Sequence, residues 1–316
     1  MATPLSNPTG SFVALITPMN ADYSIDYEGF ASLLDFQREN GTSAILIMGS
    51  SGEVSMLAPE ERHAIVHETM KHRREGMPQW YGCTGPTTEA TIAYVRQAAA
   101  EGADGAVIAA PAYICAPNAD IVQFFLDVAD ASPIPIGIYN NPPRVKTDLA
   151  VEDVLTLAKH PKITVLKEST ARVGQVGQVA AANPDFSIMC CCSPNLGLVV
   201  PTMSLGGHGT ANMTGNIIPA EMAVISTPWG EDGAQALAFR AEYLRCLPML
   251  HFVYSAINPV PVKSLMRAVG LPAGPLRRPL SGLDPAALAK GIEIVRALGL
   301  DRRYGYRINP AAVAAE

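Results

Sequence analysis

Charge is scarce in this chain. Of 316 residues, 16% are Asp, Glu, Lys or Arg, against the ~25% usual in soluble domains. That argues against a disordered, self-repelling chain and for large buried surfaces or subunit contacts. A basic excess is missing as well, since 23 Lys and Arg stand against 29 Asp and Glu, a net −6. Nucleic-acid binding, which depends on neutralising phosphates, is therefore not expected. Long apolar runs are absent too. The longest, residues 43–48, 134–138 and 196–203, fall far short of the ~20 residues of a membrane-crossing helix. The first ten residues have neither a basic start nor an apolar segment, so no membrane association is expected and the protein reads as cytoplasmic.

The six cysteines form no Cys-x-x-Cys pair, which removes the usual redox and zinc signatures. Cys190, Cys191 and Cys192 are consecutive. Neighbours on a strand point to opposite faces, so the three cannot grip one ion. They read as free thiols behaving as small hydrophobes. No metal and no cofactor is expected.

What is present is a regular alternation. Apolar runs at 12–16, 44–48, 79–83, 106–109, 136–139, 163–167, 186–190 and 209–213 read as strands. Helix signals lie between them. Asp26 is placed to cap a helix running to Glu39, and Pro59 stands at a first helical position ahead of Glu60 and Glu61. Residues 87–101 and 118–130 follow in the same style. Short apolar strands alternating with helices imply a parallel sheet covered on both faces. Eight such units give an α/β fold of the (β/α)8 TIM-barrel type. An open doubly wound sheet would favour a Gly-rich turn after the first strand, and Ile16-Thr17-Pro18-Met19 is not one. The barrel is assigned to residues 1–230. Helical segments at 233–247, 261–269 and 284–298 place a small C-terminal helical extension in residues 231–316.

Barrel active sites lie at the C-terminal ends of the strands. Gly49-Ser50-Ser51-Gly52-Glu53 follows strand two, Tyr139-Asn140-Asn141-Pro142-Pro143-Arg144 follows strand five, and Lys167 closes strand six. Lys167 is one of only seven lysines and directly follows the apolar pair Val165-Leu166. A lysine in a low-dielectric pocket sheds its charge more readily than one in water. A neutral amine attacks a ketone and forms a Schiff base, which then acts as an electron sink. The plain alternative is a strand-end lysine snorkelling to solvent. Tyr139, one unit earlier, offers a phenol as a general acid or base. Ser50 and Ser51 offer hydroxyls and amides suited to a small carboxylate. Each signal is modest alone; their joint placement on strands two, five and six is the stronger argument.

These motifs resemble the dihydrodipicolinate synthase / N-acetylneuraminate lyase family of pyruvate-handling, class I aldolase-type barrels. Gly-Ser-Ser-Gly-Glu, Tyr-Asn-Asn-Pro, Leu-Lys-Glu-Ser and Gly-Gly-His-Gly occur in the family's order and spacing, over nearly the whole chain. The resemblance implies that Lys167 forms an imine with pyruvate or another 2-oxo acid, which then meets an aldehyde. It implies that Tyr139 shuttles protons through the Ser50 hydroxyl. Tyr113 falls where the family places a tyrosine that reaches across a subunit interface. The amides of Ser50 and Ser51, with Gly49 before them, would hold the carboxylate, and the Ala211 carbonyl would line the pocket. A homotetramer of tight dimers is the implied assembly.

Arg144 matches the arginine with which the synthases meet the second substrate's carboxylate, a sound role for a guanidinium fork. The sequence departs from the synthases nearby. Arg144 is followed by Val145-Lys146 rather than Thr-Gly, Ser50 replaces the usual threonine, and Ser193-Pro194-Asn195-Leu196 stands where two acidic residues are usual. These departures keep a second reading open, an aldolase or dehydratase for 2-keto-3-deoxy sugar acids or 4-hydroxy-2-oxo acids. A reading from outside enzymes, a silent barrel that senses a 2-oxo acid, is disfavoured because Lys167, Tyr139, Ser50 and Tyr113 are all present. His208 is expected to pack or cap rather than react. Gly206-Gly207-His208-Gly209 lacks the helix start and acidic partner of a dinucleotide site.

Overall fold

Alternation along each strand decides what fills the barrel and what faces the helices. In the computed structural model, which describes residues 7–231 and 233–309, the strands are β1 (Gly10–Ala14), β2 (Ala44–Ile47), β3 (Gln79–Gly82), β4 (Gly105–Ala109), β5 (Ile136–Asn140), β6 (Ile163–Glu168), β7 (Ser187–Cys190) and β8 (Gly209–Asn212). All pair in parallel in chain order, and β8 closes on β1. Phe12, Ala14, Leu46, Trp80, Val107, Val165 and Met189 turn inward and form the barrel's own core. Their neighbours Val13, Ile45, Ile47, Tyr81, Ala106 and Ile108 turn outward into the layer shared with the helices. This is the two-residue period of a strand. Trp80 fills so much of the lumen that a Cβ on Gly105 would lie 2.5 Å from its ring; glycine stands there because the indole takes the space.

The expected strands hold, with one shift. The first run was read as 12–16, whereas β1 spans Gly10–Ala14. Leu15 and Ile16 are fully buried and keep the sequence apolar past the strand end. The Ile16 amide leaves the ladder to meet Asn216 Oδ1 at 3.1 Å.

The expected helices form where their signals lie. Asp26 caps Tyr27–Glu39 by accepting from the Gly29 amide at 2.8 Å. Pro59 opens Pro59–Lys71, and Thr87 caps Thr88–Ala100. Helix Asn118–Ala131 starts at Asn118 as read. After β8 and the helix Pro219–Ser226 come Ala234–Val253, Val260–Ala268, Pro285–Ala297 and Leu300–Tyr304. Phe239, Met249, Leu250, Val262, Leu265, Leu288 and Val295 of these helices join the same apolar layer as the barrel's outer face. The first six and last seven residues assigned to the two units lie outside the described residues. No described helix is long and apolar enough to cross a membrane.

A buried ion pair ties the C-terminal helices to the barrel mouth. Lys263 Nζ lies 2.6 Å from Glu53 Oε1, and both side chains are fully buried. The second Glu53 oxygen accepts from the Arg277 amide at 2.8 Å. Glu53 sits in the left-handed region, φ 57°, immediately after the Ser50–Gly52 turn. The motif glutamate therefore holds that turn in place from behind.

Candidate active site

Strand pairing sets the centre of the site. Tyr139 and Lys167 are register partners on β5 and β6, followed by Asn140 opposite Glu168. Lys167 is 4% exposed, and its Nζ lies 4.2 Å from the centre of the Tyr139 ring. An ammonium over a phenol face is held by the ring quadrupole. Both residues border a cavity of about 230 Å³, together with Ser50, Ser51, Arg144 and Ala211. Six of the eight site residues read from the sequence therefore meet in one place. The structure does not let Lys167 snorkel to solvent.

Gly49 and Tyr113 do not meet there. Gly49 lines an adjoining chamber rather than the lysine cavity, because its position at the end of β2 turns it to the far side of Ser50. Tyr113 is 98% exposed, on a loop where its φ is 78°. It projects away from its own barrel.

Hydrogen bonding around the hydroxyls also differs from the expected relay. The Tyr139 hydroxyl accepts from Asn141 Nδ2, and the Ser50 hydroxyl accepts from Asn258 Nδ2 at 3.2 Å. Each oxygen keeps its own proton to donate. Asn258 further accepts from the Arg144 guanidinium on its carbonyl, at 3.0 Å. A residue from beyond the barrel thus links Ser50 to Arg144. Ser50 and Ser51 open a helical turn, and the first amides of such a turn have no partner within it.

Beneath this layer, Glu168 gathers donors. One oxygen accepts from the Ser169 and Thr170 amides, each at 2.8 Å, and the carboxylate also faces Asn140 Nδ2. Burial pushes its ionisation above the usual carboxylate range, against these hydrogen bonds. Asn140 and Glu168, each next to a site residue, join the tops of β5 and β6 and fix the Tyr139–Lys167 pairing.

The far side of the cavity is built by Cys191, Ser193, Leu196, Tyr254 and Asn258. The Tyr254 hydroxyl lies 3.1 Å from Cys191 Sγ and 3.2 Å from Cys192 Sγ, and desolvation holds its phenol well above the ordinary range. Sequence reading missed Tyr254 and Asn258, which lie in the connection between two C-terminal helices. It also missed Lys263, although a lysine inside Val-Pro-Val-Lys-Ser-Leu-Met signals a buried partner. All six cysteines are free, and no cluster of potential metal ligands occurs among the described residues. His208 accepts the Ile188 amide on Nδ1 at 3.0 Å, a packing role as expected.

A closed eight-stranded barrel with a buried lysine, a phenol, hydroxyls and a guanidinium at its C-terminal mouth is a barrel enzyme of the lysine-dependent kind. The Dihydrodipicolinate synthetase family model matches residues 7–297, and the chain belongs to that family. The 4-hydroxy-tetrahydrodipicolinate synthase of Alcanivorax borkumensis is 33% identical over 293 residues, covering 92% of this chain and 98% of the relative. That of Lachnoclostridium phytofermentans is 31% identical over 281 residues, 88% of this chain and 94% of its own. Among solved structures, the Aquifex aeolicus dihydrodipicolinate synthase superposes with a TM-score of 0.85 at 28% identity, covering 92% of this chain and 98% of that one. The Cyanidioschyzon merolae enzyme, solved with lysine bound, gives 0.86 at 28% identity, over 92% and 99% of the two chains.

Proposed function

We propose that this enzyme joins pyruvate to an aldehyde through a Lys167 imine, a reaction of the 4-hydroxy-tetrahydrodipicolinate synthase type. The observation that carries the reading is the buried Lys167 amine, facing a cavity it shares with Tyr139, Ser50 and Arg144. Attack of the neutral amine on the ketone releases water and leaves an imine. Loss of a methyl proton gives an enamine, whose carbon adds to the aldehyde. Hydrolysis then frees the lysine.

Tyr139 and Ser50 carry protons in this scheme, supported by the Asn141 and Asn258 donors that leave both hydroxyl protons available. The open amides of Ser50 and Ser51 hold the pyruvate carboxylate, with Gly49 shaping the approach and the Ala211 carbonyl lining the pocket. Arg144 selects an aldehyde that carries a carboxylate. Tyr113 completes the site of a neighbouring copy, supported by its projection away from its own barrel. The working form is a homotetramer in the cytoplasm. The names of the relatives favour this reading over a sugar-acid aldolase.

A product assay tests it. Pyruvate is incubated with a panel of carboxylated and neutral aldehydes, and the products are followed by mass spectrometry. The expected result is a Lys167-dependent adduct with a carboxylated aldehyde. Turnover of neutral sugar-type aldehydes alone would contradict the assignment.

A further inference from the structure

A second chamber of about 440 Å³ adjoins the reaction cavity and shares Ser50, Tyr139, Asn141 and Arg144 with it. Its other walls are largely apolar, built by Leu46, Leu57 and Val107 among others. Arg62 stands in that wall and is only 7% exposed. Its guanidinium lies 3.7 Å over the centre of the Tyr94 ring. One terminal nitrogen donates to the carbonyls of Gly82, at 3.2 Å, and Thr84, at 3.0 Å. Its Nε–H is buried and has no partner.

No carboxylate pairs with Arg62 among the described residues, and none of the residues lining the chamber is acidic. Burial works against this cation and lowers its ionisation from the ordinary value. Charges in protein interiors are costly unless an opposite charge meets them. Here the opposite charge is missing from the chain, while an open volume is present. Beside Arg62, the Thr84 hydroxyl accepts from the Ala109 amide at 2.8 Å and keeps its proton to donate. Arg144 borders the same chamber.

We propose that this chamber binds a small carboxylate ligand, anchored by Arg62 and accommodated along its body by the apolar wall. Two guanidinium groups with apolar surface between them favour a short dicarboxylate. The site is separate from the imine chemistry and does not depend on it. Because Ser50 and Tyr139 are walls of both cavities, occupancy is communicated to the reaction pocket.

The probe is glutarate, titrated into the purified, assembled protein by calorimetry, with pentane-1,5-diol as the uncharged control of the same length. Saturable binding of glutarate and none of the diol is expected. Arg62→Gln, which keeps a hydrogen-bond donor and loses the charge, should weaken glutarate binding about 10- to 100-fold. Arg62→Lys, which keeps the charge without the fork, should fall between. Near-ultraviolet circular dichroism checks that each variant is folded. In the wild type itself, a crystal grown with glutarate should place a carboxylate against Arg62, a readout that needs no variant. Failure of the wild type to saturate overturns the proposal, and this is also the outcome if a neighbouring copy's acidic side chain already meets Arg62. Unchanged affinity in folded Arg62→Gln, or glutarate bound elsewhere in the crystal, overturns it equally.

Discussion

Single residues of the site differ in what opposes their charge, and this sets what each substitution should do. Arg144 is exposed and gives one hydrogen bond to the Asn258 carbonyl at 3.0 Å, so its fork is still open to a substrate. Arg144→Ala should raise the KM of the aldehyde and leave imine formation with pyruvate intact. A charged hydrogen bond contributes about 1.5–3 kcal/mol, and solvent exposure favours the lower end, roughly a tenfold effect. Unchanged kinetics with every accepted aldehyde would remove Arg144 from the site. The Lys263–Glu53 pair is the opposite case, with both side chains fully buried. Lys263→Met leaves a buried carboxylate without its cation, a change that costs about 3–5 kcal/mol. The expected result in denaturant unfolding is a large loss of stability, partly recovered in Glu53→Gln/Lys263→Met because both charges are then gone. Additive losses in the double variant would show that the two groups do not act as a pair.

At the scale of elements, much of the fold is legible because each strand is a short apolar run and most helices carry their own start signal. Asp26, Pro59 and Thr87 act locally, within three or four residues of what they cap, so sequence displays them. The motif residues Ser50, Tyr139 and Lys167 were equally legible, since each ends a strand at the barrel mouth. What sequence hid depends on closure. Asn258 meets Ser50 across 208 positions, and Lys263 meets Glu53 across 210; no local pattern encodes such distances. The end of β1 was misplaced for a related reason, because Leu15 and Ile16 stay buried after their backbone has turned to Asn216. His208 shows how one such link responds to pH. Its Nδ1 accepts the Ile188 amide just before β8, and burial lowers its ionisation below the ordinary 6.5. The folded state then binds this proton less readily than the unfolded state. Stability from this group is present above about pH 6.5 and lost as pH falls toward the folded value. Thermal unfolding between pH 7 and 5 should show this decline, and His208→Gln should flatten it. An identical pH slope in His208→Gln would place the effect on other groups.

For the whole molecule, the low charge content fits exposed apolar residues that an assembly would cover. Tyr113 and Ile114 are 98% and 59% exposed on one loop. If Tyr113 serves a neighbour's site, inactive Tyr113→Phe and Lys167→Ala chains should recover part of the activity when refolded together. Mixed dimers then contain one site with both groups intact. Full activity in a proven monomer would contradict this. The central claim remains the imine on Lys167, and reductive trapping addresses it most directly. Protein incubated with pyruvate and borohydride is digested and analysed by mass spectrometry. The account predicts one stable secondary-amine adduct per chain, on Lys167, absent from Lys167→Ala. A wild-type chain left unlabelled by pyruvate, or labelled on another lysine, would contradict it.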